Sequence, residues 1–378
     1  MAALAAGLMA GLGAAPAAAQ PAGPTAPPAG ADCPADPALA YICGPERPED
    51  LLVLPAAAGA PDRWVITSGF APGSGLKLIA AASRRWHRWY TGAAGQIAFD
   101  AATYPQCPAP LDPALFNARG LSLSAAGPGR WRLLVVNHGG REAVEVFDVL
   151  AAGAGPAGAE AAPRLVWRGC RPLPAGQVGN AVASFADGTL LVTVLTRPGT
   201  TIADFMRGRA TGAVWAWRPG ADRWRALPGT RLPGNNGLET DPDQRRFYVI
   251  AFGWHAVAVF DRTRPGGPVA RIEAPDFMPD NIHWSRGRLL LAGMRRDEPA
   301  CGGLRQIAGD RADPMLCHRG WVVGALDLAA GRVATVAYGG PQPGFNGLSS
   351  AAWVGAELWL GSYQASRLAI VRQEGTAP

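Results

Sequence analysis

Lysine is nearly absent from this sequence of 378 residues: Lys77 is the only one, although lysine and arginine together number 35. The formal net charge of +6 therefore comes from arginines, which are scattered and form no basic run. Nucleic-acid binding usually needs a basic patch with interleaved aromatic side chains, so we expect no nucleic-acid partner. Hydrophobic residues make up 48% of the chain, which excludes a disordered protein and supplies a sizeable core.

Several signatures of common catalytic and metal sites are also missing. The sequence has no Cys-x-x-Cys pair and no paired histidines, which argues against structural zinc. It has no Gly-x-Ser-x-Gly elbow, His-Glu-x-x-His helix or phosphate-binding glycine loop. Covalent serine hydrolysis and nucleotide chemistry therefore have no support.

Long apolar runs are confined to the start of the chain, and no later stretch could cross a bilayer. Residues 1–20 are uncharged and apolar and end in Ala17-Ala18-Ala19 before Gln20. This predicts a secretory signal peptide, although its start lacks Lys or Arg. Residues 21–42 are expected to form a Pro- and Ala-rich leader. The protein is therefore expected to be exported, periplasmic or extracellular, without stable membrane insertion.

The chain contains six cysteines, which in an exported protein predict disulfides. Six cysteines allow about 15 pairings, and the sequence does not choose between them. We predict three bonds, the first and last of them because they close short loops: Cys33 with Cys43, Cys107 with Cys170, and Cys301 with Cys317.

Short strand patterns separated by Gly, Pro and Asp turns dominate the chain after residue 43, in keeping with 49 glycines and 35 prolines. They fall into six groups of four, the last one strand short. This predicts an all-β fold, a six-bladed β-propeller with four-stranded blades around a central channel, in which an N-terminal strand completes the last blade. Two β-sandwich domains are the alternative. The insertions 92–115, 196–209 and 297–319 are expected over the central opening.

Oxygen-bearing side chains stand at the start of the first strand in several groups. In a propeller these positions face a common point on the axis. Carboxylate and amide oxygens without thiolate or imidazole suit a hard cation, calcium before magnesium or zinc. Taken singly, each residue is equally explained as a turn residue. The predicted metal ligands are Glu49, Asn180, Asn236, Asp280 and Asn281.

Two histidines lie near these positions. His138 ends a very apolar strand and is interpreted first as a packed, hydrogen-bonded residue. His283 follows Asn281 by two residues and is expected on the same face of its strand, next to the site.

Three segments together resemble the paraoxonase/arylesterase family, part of the wider gluconolactonase- and regucalcin-like group of six-bladed propellers. They are residues 48–55 (PEDLLVLP), residues 64–69 (WVITSG), and residues 135–138 (VVNH) with 144–147 (VEVF). Asn236-Gly237-Leu238 and Asp280-Asn281-Ile282 continue the resemblance, which covers about residues 43–371. It implies a calcium-dependent esterase or lactonase acting on a small molecule.

By position, the five predicted ligands match that family's catalytic-calcium ligands. Asp50, with the backbone carbonyl of Leu121, matches part of a second, structural calcium site. His138 matches the second histidine of a pair proposed to help activate water.

Three departures from the family pattern stand out. Arg119 replaces the first histidine of the pair, and because a guanidinium is no base at neutral pH, it would instead hold an anionic substrate group. Ala181 stands where the second calcium site would need an aspartate. The sequence therefore supports the second ion less strongly than the first. No cysteine follows Cys317 to form the family's bridge from the N-terminus.

The sequence thus predicts a calcium-dependent hydrolase of esters or lactones. Asp280, Glu49 and His138 are the predicted catalytic residues, and Arg119 and His283 the predicted substrate-binding residues. The alternative is a non-catalytic, calcium-stabilised propeller that binds a ligand through its loops. A sugar-lactone hydrolase closer to gluconolactonase is a further possibility.

Overall fold

The computed structural model describes residues 33–56, 61–151, 161–264, 266–305 and 317–372. The predicted signal peptide and residues 21–32 of the predicted leader lie outside the described residues. Strand β1 (Ala40–Cys43) comes first in this part of the chain. It is followed by six four-stranded antiparallel sheets, to one of which β1 itself belongs.

The first three sheets each use four consecutive strands, which follow one another from the channel outwards. Blade 1 comprises β2 (Leu51–Val53), β3 (Trp64–Thr67), β4 (Lys77–Ala80) and β5 (Trp86–Arg88). Blade 2 comprises β6 (Ala118–Gly127), β7 (Arg130–Asn137), β8 (Ala143–Leu150) and β9 (Arg164–Pro172). Blade 3 comprises β10 (Gly179–Ser184), β11 (Leu190–Val194), β12 (Ala213–Trp217) and β13 (Arg225–Ala226).

The remaining sheets continue the same plan. Blade 4 comprises β14 (Asn235–Thr240), β15 (Arg246–Ala251), β16 (Ala256–Asp261) and β17 (Ala270–Glu273). Blade 5 starts with β18 (Phe277–Ser285) and β19 (Arg288–Arg295). A small sheet of β20 (Asp297–Glu298) and β21 (Gly303–Leu304) interrupts it before β22 (Trp321–Asp327) and β23 (Arg332–Gly339). Blade 6 has β24 (Leu348–Val354), β25 (Glu357–Ser362) and β26 (Arg367–Arg372).

The circle closes in two ways. Strand β1 pairs antiparallel with β26, from Ala40 opposite Ile370 to Cys43 opposite Arg367, and so becomes the outermost strand of blade 6. Each innermost strand also packs against the next, from β2 to β6 and onwards to β24, which returns to β2. The predicted six-bladed propeller, completed by an N-terminal strand, is confirmed. The closing strand begins three residues ahead of the expected boundary between leader and propeller at residue 43.

Helices are few and short in the described part of the chain. An α-helix, α1, spans Ile202–Met206, and 3-10 helices span Ala94–Gln96, Phe252–Trp254 and Pro299–Cys301. None of them is long and apolar enough to span a membrane.

The core lies between the blades, where the middle strands are mostly buried. The run Leu133–Val136 in β7 is buried throughout, as expected for a strand packed between neighbouring sheets. Trp167 and Trp359 are completely buried between strands.

All three predicted disulfides are present: Cys33–Cys43, Cys107–Cys170 and Cys301–Cys317. The first fastens the described N-terminus to β1, and the second fastens the 92–115 insertion to β9. Disulfides persist in oxidising compartments, so the set is consistent with a periplasmic or extracellular location.

The insertions differ in where they lie. The first insertion, residues 92–115, does not lie over the central opening as a whole, because Ile97 pairs with Trp167 in the outer strand of blade 2. The second insertion contains α1, whose Phe205 clusters with Phe252, Met278 and Met294 near the channel entrance of blades 4 and 5. Of the third, residues 306–316 lie outside the described residues.

Candidate active site

Five innermost strands carry a β-bulge near their start. The bulges lie between residues 118 and 121 in β6, 179 and 182 in β10, 235 and 238 in β14, 279 and 281 in β18, and 348 and 350 in β24. A bulge inserts an unpaired residue and redirects its side chain. The first bulged residue of each strand and the equivalent residue before β2 form a set that we call the axial ring: Glu49, Arg119, Asn180, Asn236, Asp280 and Ser349.

Close backbone approaches hold the axial ring together. A Cβ atom on Gly237, the residue after Asn236, would lie 2.6 Å from the carbonyl oxygen of Asp280. The glycine therefore lets β14 and β18 meet where both ring residues project. On the other side, the hydroxyl of Ser349 donates to the carbonyl oxygen of Glu49 at 2.5 Å and links the last blade to the first.

The two ring carboxylates are buried, and the charge of Asp280 acts on Glu49. Glu49 is 5% and Asp280 8% exposed. Burial raises the pKa of Glu49 to about 8; Arg119 opposes the rise, and the charges of Asp280 and Asp50 add to it. Burial likewise raises the pKa of Asp280 to about 7, while the side chain of Asn236 opposes the rise. Both carboxyl groups thus lie within electrostatic reach of one another and titrate near neutral pH.

Arg119 places a positive charge in the ring position of blade 2. Its guanidinium lies 3.2 Å from the ring centroid of Phe70, and its Nη1 lies 3.9 Å from Glu49 Oε2. Nε and Nη1 find no hydrogen-bond partner among the described residues. Burial lowers the pKa of Arg119 and Glu49 opposes the shift, but arginine remains protonated at neutral pH.

One step deeper in the channel lies a hydrogen-bonded layer around Asp50, which is 1% exposed. Its Oδ2 accepts from the backbone N–H of Leu121 at 2.8 Å, and its Oδ1 lies 2.8 Å from His283 Nε2. His283 Nδ1 lies 3.4 Å from Glu239. Burial lowers the pKa of His283, but Asp50 and Glu239 more than offset this and raise it to about 10. His283 is therefore a cation held between two carboxylates below the axial ring.

His138 lies at the edge of the site. Its Nδ1 is 2.8 Å from Glu142, and its backbone N–H donates to the carbonyl oxygen of Asn117. The negative charge of Glu142 also acts on Arg119, where it partly offsets the effect of burial on the pKa. His138 is thus linked to the axial ring through Glu142 and Arg119.

The axial ring has the chemistry of a hard-cation site. Glu49 Oε2 and Asn236 Oδ1 are buried and find no hydrogen-bond partner among the described residues. The side-chain nitrogen of Asn281, next to Asp280, is also buried without a hydrogen-bond partner among the described residues. Rotating this amide by a half-turn would put its oxygen in the place of the nitrogen. Unpaired acceptor atoms next to two buried carboxylates fit an ion such as Ca²⁺.

The amides are essential to this fit. No group of three or more His, Cys, Asp or Glu side chains that could hold a metal occurs in the described ranges. Any ion at the ring therefore depends on amide oxygens, including that of the half-buried Asn180.

The position predicted for a second ion, at Asp50 and Leu121, is a poorer fit. Both carboxylate oxygens of Asp50 already accept hydrogen bonds, and Leu121 presents its N–H, not its carbonyl. Ala181 carries no ligand atom. The cation next to Asp50 is His283 itself.

A cavity of about 880 Å³ opens at the other end of the channel, where the innermost strands finish. Its described lining includes Ser184, Glu239, His283 and Trp353, and no member of the axial ring. The His283 layer therefore separates this cavity from the axial ring. We place the candidate site at the ring because the unpaired oxygens are there.

Sequence reasoning missed several residues around the ring. Ser349 lies in an ordinary strand pattern that carries no signal for a site. Phe70 contacts Arg119, which is distant from it in sequence. Glu142 lies only four residues after His138, but a single carboxylate at that spacing carries no specific signal. Arg305 opposes the rise of the Asp280 pKa, and only the folded chain brings these two residues within electrostatic reach.

The topology of its sheets places the chain among six-bladed β-propellers. No family model and no curated protein matches the chain. Solved structures with similar architecture include a gluconolactonase from Xanthomonas campestris, with 15% identity, TM-score 0.47 and coverage of 92% of this chain and 98% of that one.

Two further structures show the same level of similarity. A calcium-binding regucalcin from Agrobacterium tumefaciens has 11% identity, TM-score 0.44 and coverage of 82% and 85% of the two chains. A luciferin-regenerating enzyme has 12% identity, TM-score 0.45 and coverage of 83% and 88%. One propeller fold hosts many activities, so the chemistry must be argued from the site.

Proposed function

We propose that this protein is a calcium-dependent hydrolase of carboxylic esters or lactones, exported from the cell, with its active centre at the axial ring. The observation that carries the proposal is the pair of buried carboxylates beside unpaired, buried acceptor oxygens of Glu49 and Asn236. The resemblance of the sequence to calcium-dependent arylesterases supports the same assignment.

The proposed ligands are Glu49, Asn180, Asn236, Asp280 and Asn281. A hard cation bound there would supply Lewis-acid polarisation of a substrate carbonyl. The chain's own residues orient the substrate and move the proton. Arg119 faces the same point and holds positive charge close to where the oxyanion develops.

Hydrolysis requires a base for the attacking water. Asp280 or Glu49 accepts the proton as the water oxygen bonds to the carbonyl carbon. The bond from that carbon to the alcohol oxygen then breaks, and the leaving oxygen takes up the proton. His138, oriented by Glu142, is positioned to exchange protons with solvent.

The test is hydrolysis of aryl esters and of lactones by the purified protein, with Ca²⁺ and after chelation. We expect turnover that disappears with the chelator and returns with Ca²⁺. Asp280→Asn should lose Ca²⁺ binding and turnover together, whereas Asp243→Asn, in an exposed turn, should keep both. Full activity of Asp280→Asn would overturn the proposal.

A second candidate function is a non-catalytic, cation-stabilised binding propeller. The observation that favours it is Arg119, which occupies the ring position of blade 2 and cannot serve as a base. In that case Ca²⁺ would raise the melting temperature, and neither esters nor lactones would be hydrolysed.

A further inference from the structure

The arrangement of Arg119 is not explained by the folded chain alone. Its Nη1 lies 3.9 Å from Glu49 Oε2, which is too long for a hydrogen bond. Its buried Nε and Nη1 have no partner among the described residues. Leaving charged donors buried and unpaired is energetically costly, so a ligand acceptor in this position would remove that penalty.

Phe70 keeps the guanidinium in this position. The ring lies directly against one face of the Arg119 guanidinium, and a cation–π contact of this kind is attractive. Phe70 itself is held by an edge contact with Tyr363 at 5.8 Å. The N–H groups of Arg119 therefore remain beside the Glu49 carboxylate of the axial ring.

The Arg119 guanidinium lies beside the acidic part of the axial ring, with Nη1 3.9 Å from Glu49 Oε2. A fixed cation beside an acidic cation site suits a ligand whose reacting carbonyl carries a separate anionic group.

We infer that the substrate of this site carries a carboxylate, which Arg119 binds through its unpaired N–H groups while the ester or lactone carbonyl lies over the acidic part of the axial ring. The inference rests on the proposed function and names its substrate class: carboxylated lactones and half-esters of dicarboxylic acids. Guanidinium and carboxylate match in geometry, which makes arginine the usual partner for this group.

Two matched pairs of small molecules test the inference in the Ca²⁺-loaded protein. Tetrahydrofuran-2-carboxylate and its carboxamide contain no cleavable bond and measure binding by calorimetry. The corresponding lactones, 5-oxotetrahydrofuran-2-carboxylate and its carboxamide, measure kcat/KM. Each pair differs only in the charge of one substituent.

We expect the wild-type protein to favour the carboxylate over the carboxamide by about 10- to 100-fold in both measurements, the range of one charge-assisted hydrogen-bonded contact. Arg119→Gln should reduce that ratio to near one, and Arg119→Lys should retain part of it. Exposed Arg218, in the turn after β12, provides the matched control, since Arg218→Gln leaves the ratio unchanged. Circular dichroism and melting temperature establish that each variant is folded.

The outcomes separate this inference from the proposed function. Arg119-dependent binding of tetrahydrofuran-2-carboxylate without any turnover would support the inference and reject the hydrolase. Turnover of both lactones with a ratio near one in the wild-type protein would reject the inference and leave the hydrolase standing. A ratio that survives in Arg119→Gln would also reject it, because another group would then bind the anion.

Discussion

Binding of Ca²⁺ to the axial ring should release protons, and the number released follows from the two buried carboxyl groups. The pKa of Glu49 is about 8 and that of Asp280 about 7. At pH 7 the first is mostly protonated and the second about half protonated, so binding of a cation displaces roughly one to one and a half protons. Because the two groups interact, this count belongs to the pair.

The same values set the direction of two pH effects. Ca²⁺ binding releases protons until both carboxyl groups are already ionised in the free protein. The Ca²⁺ affinity should therefore rise by about 10- to 100-fold between pH 6 and pH 7 and level off above about pH 9. In the metal-free protein both pKa values are raised above those of the unfolded chain. The stability contribution of these groups should therefore be fully present below about pH 4 and be lost as the pH rises from there to about 8.

Isothermal titration calorimetry in buffers of different ionisation enthalpy counts the protons directly. Asp280→Asn should weaken Ca²⁺ binding and lower the proton count, and the exposed-turn variant Asp243→Asn should match the wild type. Heats that do not depend on the buffer at pH 7, or an affinity that stays constant between pH 6 and 8, would refute the assignment of these carboxylates as ligands.

Two further predictions concern positions outside the ligand set. Lys77 is 1% exposed, and burial lowers its pKa to about 7. Lys77→Met should therefore raise the free energy of unfolding at pH 7 by about 1–3 kcal/mol. Urea titrations should show a smaller gain at pH 9.5, because the folded lysine is already neutral there. Gly237→Ala should lower Ca²⁺ affinity and stability, the latter by about 1–3 kcal/mol, because its Cβ would overlap the backbone of Asp280. Exposed Gly340→Ala, which meets no described atom within 4 Å, is the control in calorimetry and denaturation.

Much of the fold could be predicted because its signals are local. Alternating apolar residues between Gly and Pro turns identify strands one at a time, and a last group short of one strand implies that the N-terminus completes it. Pairing of β1 with β26 confirms this. The disulfides Cys33–Cys43 and Cys301–Cys317 are local in the same sense, since their cysteines are separated by 10 and 16 positions in the sequence.

The candidate site was less accessible to sequence reasoning because its parts act across the channel. An oxygen-bearing residue before a strand predicts a ring position, which holds for Asn180, Asn236 and Asp280, whose places coincide with the bulges. The role of His283 could not be predicted in this way. It shares a strand with Asn281, but its partner Asp50 is 233 residues away in sequence.

The amino-acid sequence by itself determined which segments become strands, how many blades they form and which oxygen-bearing side chains stand at the strand starts, because these depend on neighbours within a few residues. Tertiary structure alone decided that Arg119 stacks on Phe70, that His283 supplies the cation beside Asp50, and that the acceptor atoms of Glu49 and Asn236 remain unpaired. These features depend on distances across a closed circle of blades, and such distances exist only once the first and last blades have joined.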